Sequence, residues 1–411
     1  MRNIKFPENF YWGAATSAHQ VEGFQNNNWI GWEKENAKRL VKKAKTYWRE
    51  RQQGKFPEML KEENYISGAA CKHYELFRED FKIAKSLGHN AHRFSIEWSR
   101  IEPKEGCFDE EAIRHYQKVV STLLELGIEP FITLYHWTLP LWFCKKGGWA
   151  NKKSPIYFER YVKKISSALK GIKFFITINE PNIYASQSYL KGFWPPQKKN
   201  FFLYRRVLNN LVRAHCRAYS AVKKIDSQIQ VGIAKNMIYF EAVDNNLVNS
   251  SLKKLSDYFY NLWLLNEIKN HQDFIGLNYY FHNRIDFGFN KNKNKLVSDL
   301  GWEVHPEGIY FALKLASKFK KPIFITENGL ADKEDKTRAW FIKNHLLWAG
   351  KAIREGVNVR GYFYWSLFDN FEWDKGFWPR FGLVEVNYKT QKRKIRPSAL
   401  VYKKIIEQSG L

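Results

Sequence analysis

Several features that define common protein classes are scarce or missing in this sequence of 411 residues. No run of 18 apolar residues occurs, which excludes an ordinary membrane-spanning helix, and the opening MRNIKFP has no apolar signal-peptide core. The cysteines lie too far apart for a close-paired zinc site or a dense disulfide scaffold. They are Cys71, Cys107, Cys144 and Cys216. We therefore expect a soluble cytoplasmic protein with free thiols and with no metal or other cofactor.

Acidic residues are too few to balance the basic ones, because 41 Asp and Glu stand against 67 Lys and Arg, a net charge of +26. Such an excess can indicate a nucleic-acid, membrane or acidic-substrate partner. Here the basic residues are spread along the chain, with mild runs at 38–55, 290–295 and 391–394 that are not interleaved with aromatic residues. We predict that most of this charge is solvated surface and that neither nucleic acid nor a membrane is a partner.

Aromatic residues are abundant, at 17% of the chain with 16 Trp and 22 Tyr. Most of them are expected to fill the core, as aromatic residues usually do. Enough remain to line a cleft, where ring faces could cover the apolar side of a sugar.

Short apolar runs alternate with segments whose apolar residues recur every three or four positions, which is typical of repeated strand-helix units. Two of the helical segments end at Gly88 and Gly127, as helices capped by glycine do. No linker rich in Pro, Gly or Ser interrupts the series, so we predict an α/β fold, one (β/α)8 barrel over residues 1–411. An open doubly wound sheet is the alternative, but no Gly-rich phosphate loop supports it. The predicted strands are 10–16, 90–96, 129–135, 173–179, 229–235, 273–278, 322–326 and 358–365.

Two insertions interrupt the regular alternation. Residues 35–68 are charged and are predicted to be partly helical. Residues 281–300 are rich in Asn, Lys and Gly and follow the sixth strand, where a loop could border an active site as a lid.

Two of the predicted strands end in a carboxylate. Residues 321–329, KPIFITENG, deliver Glu327, and residues 173–181, KFFITINEP, deliver Glu180. Because barrel enzymes keep their chemistry at the carboxyl ends of the strands, these glutamates suggest a paired-carboxylate site.

Other polar and aromatic side chains recur in the second strand or at the ends of the third, fourth, sixth and eighth. Each alone has a structural interpretation, since an arginine is usually an ion-pair partner and a lone histidine is often a satisfied hydrogen-bonding residue. Their joint placement favours a cleft. They are Arg93, His136, Trp137, Asn179, Asn278, Tyr279, Tyr280 and Trp365.

The motifs around these residues resemble glycoside hydrolase family 1, the β-glucosidase and β-glycosidase family. Nearly the whole chain is covered, in the family's order. The motifs are NFYWGAATSAHQVEG at 9–23, RFSI at 93–96, WSRI at 98–101, LYHW at 134–137, TINEPN at 177–182, GLNYY at 276–280, ITENG at 325–329 and YWSLFDNFEW at 364–373.

The resemblance implies a retaining β-glycosidase that acts on a β-glycoside or an oligosaccharide. It makes Glu327 the nucleophile and Glu180 the acid/base, with Arg93 and Tyr280 keeping Glu327 ionised. The charge on Glu327 should in turn hold Glu180 protonated. The remaining roles implied are hydrogen bonds to sugar hydroxyls from Gln20, His136, Asn179, Glu372 and Trp373, an apolar floor from Trp365, and a wall completed by Asn278 and Phe381.

The resemblance also bears on the choice of sugar. Family members that act on 6-phosphorylated sugars resemble one another in a small residue, a lysine and a tyrosine where this chain has Glu372, Pro379 and Phe381. A carboxylate would repel a phosphate, so an unphosphorylated sugar is expected and a 6-phospho-β-glycosidase is the alternative. Glucoside, galactoside and fucoside remain open. On the outer side of the cleft, Trp194 and Trp302 are candidates for the leaving group's subsite.

Two other kinds of protein fit some of these observations. A catalytically weak sugar-binding protein could use the same barrel, but it would not need both carboxylates. A nucleic-acid-binding protein would need a focused basic stripe, which the sequence does not show.

Overall fold

The computed structural model describes residues 4–293 and 296–411, and its central feature is a closed barrel of eight parallel strands, β1 to β8, in sequential order. A small antiparallel pair, β9 and β10, lies outside it. The strands are β1 Tyr11–Ala15, β2 Ala91–Ser95, β3 Glu129–Tyr135, β4 Phe174–Asn179, β5 Gln230–Ala242, β6 Phe274–Ile285, β7 Ile323–Asn328, β8 Val359–Trp365, β9 Val384–Val386 and β10 Arg393–Ile395.

Helices lie between consecutive strands of the barrel, as the alternating sequence pattern predicts, and a last helix follows β10. They are α1 Ala18–Val21, α2 Asn28–Tyr47, α3 Glu50–Lys55, α4 His73–Ser86, α5 Trp98–Ile101, α6 Glu110–Glu125, α7 Leu141–Lys145, α8 Ser154–Ala168, α9 Pro181–Ala185, α10 Phe201–Ile225, α11 Leu247–Ser256, α12 Trp263–Glu267, α13 Glu307–Ala316, α14 Arg338–Arg354 and α15 Pro397–Gln408.

The (β/α)8 barrel is confirmed, and every predicted strand overlaps an observed one. The glycine stops are also found, since Gly88 and Gly127 have φ values of +79° and +66°, the left-handed conformation that favours glycine after a helix. The lengths of β5 and β6 were wrong. Both strands continue well beyond the predicted ends, and they stay paired as far as Ala242 and Ile285. Residues 281–285 are therefore strand rather than loop.

The bottom of the barrel is filled by phenylalanine rings that point inward from several strands. Phe131 and Phe174 stack with their centroids 4.2 Å apart, and Phe324 packs against both at 5.1 and 5.4 Å. All three are buried. Because these rings close the lower interior, polar chemistry is confined to the upper mouth of the barrel.

The insertion predicted at 35–68 is partly helical, as expected, and consists of most of α2, all of α3 and two short turns. Trp29 and Trp32 anchor the start of α2 in the core. The predicted lid of 281–300 includes residues 294 and 295, which lie outside the described residues. Within the described part of the chain, no helix has both the length and the apolar character that crossing a membrane requires.

Candidate active site

Glu327, near the end of β7, is held at both carboxylate oxygens. Arg93 on β2 donates from Nη1 to Oε1 at 2.6 Å, and the Tyr280 hydroxyl donates to Oε2 at 2.9 Å. The guanidinium is 1% exposed and makes an ion pair with Glu327, which is itself 5% exposed. These are charge-assisted contacts, so they fix the orientation of the carboxylate and stabilise its ionised form.

The last residue of the ITENG motif, Gly329, is required for steric reasons. A Cβ atom at Gly329 would lie 1.8 Å from the carbonyl oxygen of Trp365. Only a residue without a side chain lets the end of β7 come this close to the end of β8. The motif therefore brings Glu327 and Trp365 to the same rim of the barrel.

Glu180 directly follows β4 and precedes α9. Its backbone is left-handed, with φ +43°, and its N–H donates to the carbonyl of Ala234 on β5 at 2.8 Å. Its side-chain Oε1 accepts hydrogen bonds from Asn236 at 3.0 Å and Asn278 at 2.8 Å. The turn and the two amides aim a buried carboxyl group into the barrel mouth.

A hydrogen-bond network connects the two glutamates through the strands between them. Asn278 on β6 donates to Glu180 and accepts from Thr326 on β7 at 2.6 Å. Asn179 accepts from Arg93 Nη2 at 2.7 Å, which connects the cation bound to Glu327 with the residue that precedes Glu180. The two carboxyl groups therefore share a rigid frame of buried polar side chains.

The two glutamates differ in protonation. Burial, followed by the charge of Glu327, raises the pKa of Glu180 to about 7 from the usual 4.5. Burial also raises the pKa of Glu327, but the Arg93 guanidinium and the Tyr280 hydroxyl act against this rise. The surroundings of Glu180 thus favour its protonated form, whereas two neighbours of Glu327 favour its anion.

A cavity of about 540 Å³ opens above these groups. Eight of the twelve predicted site residues line it, while Gln20, Arg93, Asn179 and Asn278 lie behind its wall and hold the lining residues in place. The predicted residues in the lining are His136, Glu180, Tyr280, Glu327, Trp365, Glu372, Trp373 and Phe381.

One wall of the cavity is aromatic. His136 stacks between Trp365 and Trp373, with centroid distances of 6.0 and 5.9 Å, and Trp137 packs on Trp373 at 4.9 Å. Burial, with a smaller contribution from Arg93, places the pKa of His136 well below its usual range. Its Nδ1 atom is buried and has no hydrogen-bond partner among the described residues, while its Nε2 atom lies 3.0 Å from the amide nitrogen of Asn179.

The pKa of Glu372 bears on the expectation that this residue is an ionised carboxylate. Burial, then the charges of Glu327 and Asp374, raises its pKa to about 8. Gln20 lies behind it and donates weakly to it at 3.4 Å, while the same amide bonds the carbonyl of Phe371 at 2.8 Å. These surroundings favour the protonated form of Glu372 in the free site, and that form would repel a phosphate less than a carboxylate does.

The sequence reasoning missed Asn236, which donates to Glu180. The predicted fifth strand ends at Lys235, one residue before Asn236, although a polar residue at a strand end is the feature that identifies candidates on the other strands. Trp194 and Trp302, expected on the outer side, both line the cavity. So do several residues of α2 that were not singled out: Leu40, Lys43, Ala44 and Tyr47.

One group of side chains outside the cavity could hold a metal by residue type. Ligand atoms of Glu241, His282 and His305 lie within 4.8 Å of one another on the extension of β5 and β6 and the loop beyond. Both ring nitrogens of His282 already contact carboxylates, at 2.9 Å to Glu241 and 2.6 Å to Glu303. These contacts occupy both nitrogens of His282, and none of the three residues lines the cavity.

Comparison with known proteins agrees with this geometry. The profile of Glycosyl hydrolase family 1 matches residues 2–268 and 264–411. The chain belongs to this family. β-Glucosidase A of Thermotoga maritima is 33% identical, and the match covers 99% of each chain. The family and the class of enzyme, a glycoside hydrolase of the β-glucosidase type, are as the sequence predicted.

Solved structures of family 1 enzymes have the same fold. The β-glycosidase from Pyrococcus horikoshii is 38% identical with a TM-score of 0.88, and the match covers 99% of this chain and 96% of that one. The Thermotoga maritima β-glucosidase in complex with glucoimidazole is 32% identical with a TM-score of 0.88, and both chains are fully covered.

Proposed function

We propose that this family 1 enzyme hydrolyses unphosphorylated β-glycosides with retention, using Glu327 as the nucleophile and Glu180 as the acid/base. The observation that carries the assignment is the difference between the two carboxyl groups. Glu327 is bonded by a guanidinium and a hydroxyl, whereas Glu180 is bonded by two neutral amides and its pKa is raised to about 7. One group is therefore suited to attack and the other to donate a proton.

In the first step, a carboxylate oxygen of Glu327 forms a bond to the anomeric carbon while the bond from that carbon to the leaving oxygen breaks. Glu180 gives its proton to the leaving oxygen, so the leaving group departs as a neutral alcohol. Arg93 and Tyr280 orient the attacking carboxylate. The products of this step are a glycosyl ester on Glu327 and an ionised Glu180.

In the second step, Glu180 takes a proton from water, the water oxygen bonds to the anomeric carbon, and the ester bond to Glu327 breaks. Two displacements on opposite faces restore the β configuration. The same residue can serve as acid and then as base because esterification removes the negative charge that raised its pKa.

The sugar would be held by the lining of the inner cavity. His136 and the carboxyl group of Glu372 line this part of the cavity and are assigned hydrogen bonds to hydroxyls, and Trp365 offers an apolar face. We assign Asn179, Trp373 and Gln20 to the same subsite, with Gln20 acting by holding Glu372. Phe381 completes the wall, and Asn278 supports it by holding Glu180.

An unphosphorylated sugar is supported by the pairing of Lys375, the lysine nearest to Glu372 in the sequence. Lys375 lines the cavity, but its ammonium group is paired with Asp374 at 2.7 Å. A phosphate dianion beside Glu372 would have to compete with Asp374 for this cation. This argument stands even with Glu372 protonated.

We also propose that the whole chain acts as one catalytic domain in the cytoplasm. A single catalytic domain is supported by β5, β6 and the α2 region, because all three contribute residues to the same cavity. The four cysteines are all free, which suits a reducing compartment.

The assignment is tested with a 2-deoxy-2-fluoro glycoside, which should trap the glycosyl ester, followed by mass mapping. The expected adduct is on Glu327, and an adduct on any other residue would overturn the roles. The sugar is identified with a panel of nitrophenyl β-glycosides, using Glu327→Ala as the inactive control. A wild type that turns over no member of the panel contradicts a glycosidase function.

A further inference from the structure

The outer half of the cavity has a different character from the inner half, and its properties indicate what kind of leaving group the enzyme accepts. This inference rests on the proposed function, because it concerns the group that Glu180 protonates. The outer lining is aromatic and basic. It includes Lys43, Tyr47, Lys191, Phe193 and Trp194.

Lys43 is the central residue of this outer region. It projects from α2, is half-buried, and has its ammonium group 4.7 Å from the ring centroid of Phe193. Burial, then the nearby charge of Lys375, lowers its pKa, while the charge of Asp374 acts in the opposite direction. No carboxylate in the described chain forms an ion pair with Lys43 or with Lys191, whereas Lys375 is paired with Asp374. A half-buried, unpaired cation in a cleft gains from an anionic partner.

The inner half is lined by carboxyl groups and lacks an available cation among the residues described there. Glu180, Glu327 and Glu372 line it, and Arg93, the cation bound to Glu327, is fully engaged by protein groups, including the carbonyl of Thr326. An anion on the sugar would meet carboxyl groups, while an anion on the leaving group would meet lysines. The cavity therefore favours an anion on the leaving group over one on the sugar.

We propose that the outer subsite selects aglycones that carry an anionic group on an aromatic or otherwise apolar body. Phe193 and Trp194 cover the body, and Lys43, assisted by Lys191, binds the charged end. The ligand class is defined by its negative charge, whether this comes from a carboxylate or from a sulfonate or sulfate. Lys43 is a specificity-determining residue and takes no part in bond breaking.

The net charge of +26 could by itself attract any anionic substrate. A matched control distinguishes this general field from a specific subsite. Lys82 is exposed on α4, which contributes no residue to the cavity. Lys82→Gln removes the same charge as Lys43→Gln but leaves the subsite intact.

The experiment measures kcat/KM for 4-carboxyphenyl and 4-carbamoylphenyl β-glycosides of the preferred sugar, by release of free sugar. The ratio of the anionic to the neutral substrate is compared between wild type and variants, so intrinsic differences between the leaving groups cancel. A 4-sulfophenyl substrate tests whether charge alone suffices. Melting temperatures confirm that each variant is folded.

We expect Lys43→Gln to lower this ratio about fivefold, near the upper end for a partly exposed ion pair, and Lys43→Glu to lower it further. Lys43→Arg should retain it, Lys82→Gln should leave it unchanged, and the effect should shrink between about 0.01 M and about 1 M ionic strength. An equal ratio in wild type and Lys43→Gln overturns the inference, as does an equal fall in Lys82→Gln. Failure of wild type on the neutral substrate would instead refute the proposed function.

Discussion

Replacing Glu327 with glutamine should lower the pKa of Glu180, and this shift tests the electrostatic logic of the site directly. Glutamine keeps the size of the side chain and removes its charge. The pKa of Glu180 is raised to about 7, first by burial and then by Glu327. The substitution leaves burial in place and removes only the second cause, so the pKa should move part of the way back toward 4.5.

The size of the shift follows from Coulomb's law. Two carboxylates placed as a retaining mechanism requires, about 5.3 Å apart, repel by ~3 kcal/mol at an effective dielectric constant of about 20, which equals ~2 pKa units. That value is an upper bound, because the network around Asn278 and Arg93 relaxes when a charge is removed. We expect a fall of about one pKa unit.

The assay is a carbon-13 NMR titration of the Glu180 carboxyl group in wild type and in Glu327→Gln. A second measurement uses the enzyme trapped as its 2-fluoroglycosyl ester, in which Glu327 is neutral because its carboxyl group is esterified. Both neutral forms should show a lower pKa than wild type. An unchanged or higher pKa in both would show that burial alone sets the protonation of Glu180, and the described switch from acid to base would be refuted.

Three further predictions concern single residues. Arg93→Met should lower kcat by at least about 100-fold, because a buried Glu327 without its ion-pair partner is less stable as an anion. Steady-state kinetics on a nitrophenyl glycoside measures kcat. An effect confined to KM would contradict the role of Arg93. Tyr280→Phe should lower kcat less, since Arg93 remains bonded to Glu327. Glu180→Gln should raise the melting temperature at pH 8 but change it little at pH 4. The folded protein binds the Glu180 proton more tightly than the unfolded chain does, so wild type loses up to about 3 kcal/mol of stability between pH 4.5 and 7. A rise of equal size at both pH values would refute it.

The sequence was sufficient for the parts of this molecule that depend on local pattern. Glu180 and Glu327 could be found because apolar strands ended at each of them, and parallel strands bring their carboxyl ends together. Asn236 was not predicted because the length of β5 depends on its pairing with β6, which continues to Ala242 and Ile285. A local sequence pattern does not show how far two strands stay paired. The raised pKa of Glu372 could not be predicted from local pattern either. It results from burial and from the charges of Glu327 on β7 and of Asp374 in the segment after β8.

The charge of Glu327 controls more than one neighbour, and this connects the binding of the sugar with the chemistry. Glu327 is the second cause, after burial, of the raised pKa of both Glu180 and Glu372. Formation of the ester neutralises Glu327, so both neighbours should become stronger acids at the same moment. Ionised Glu180 can then accept the proton of water. At Glu372, burial and the charge of Asp374 remain as causes of the raised pKa.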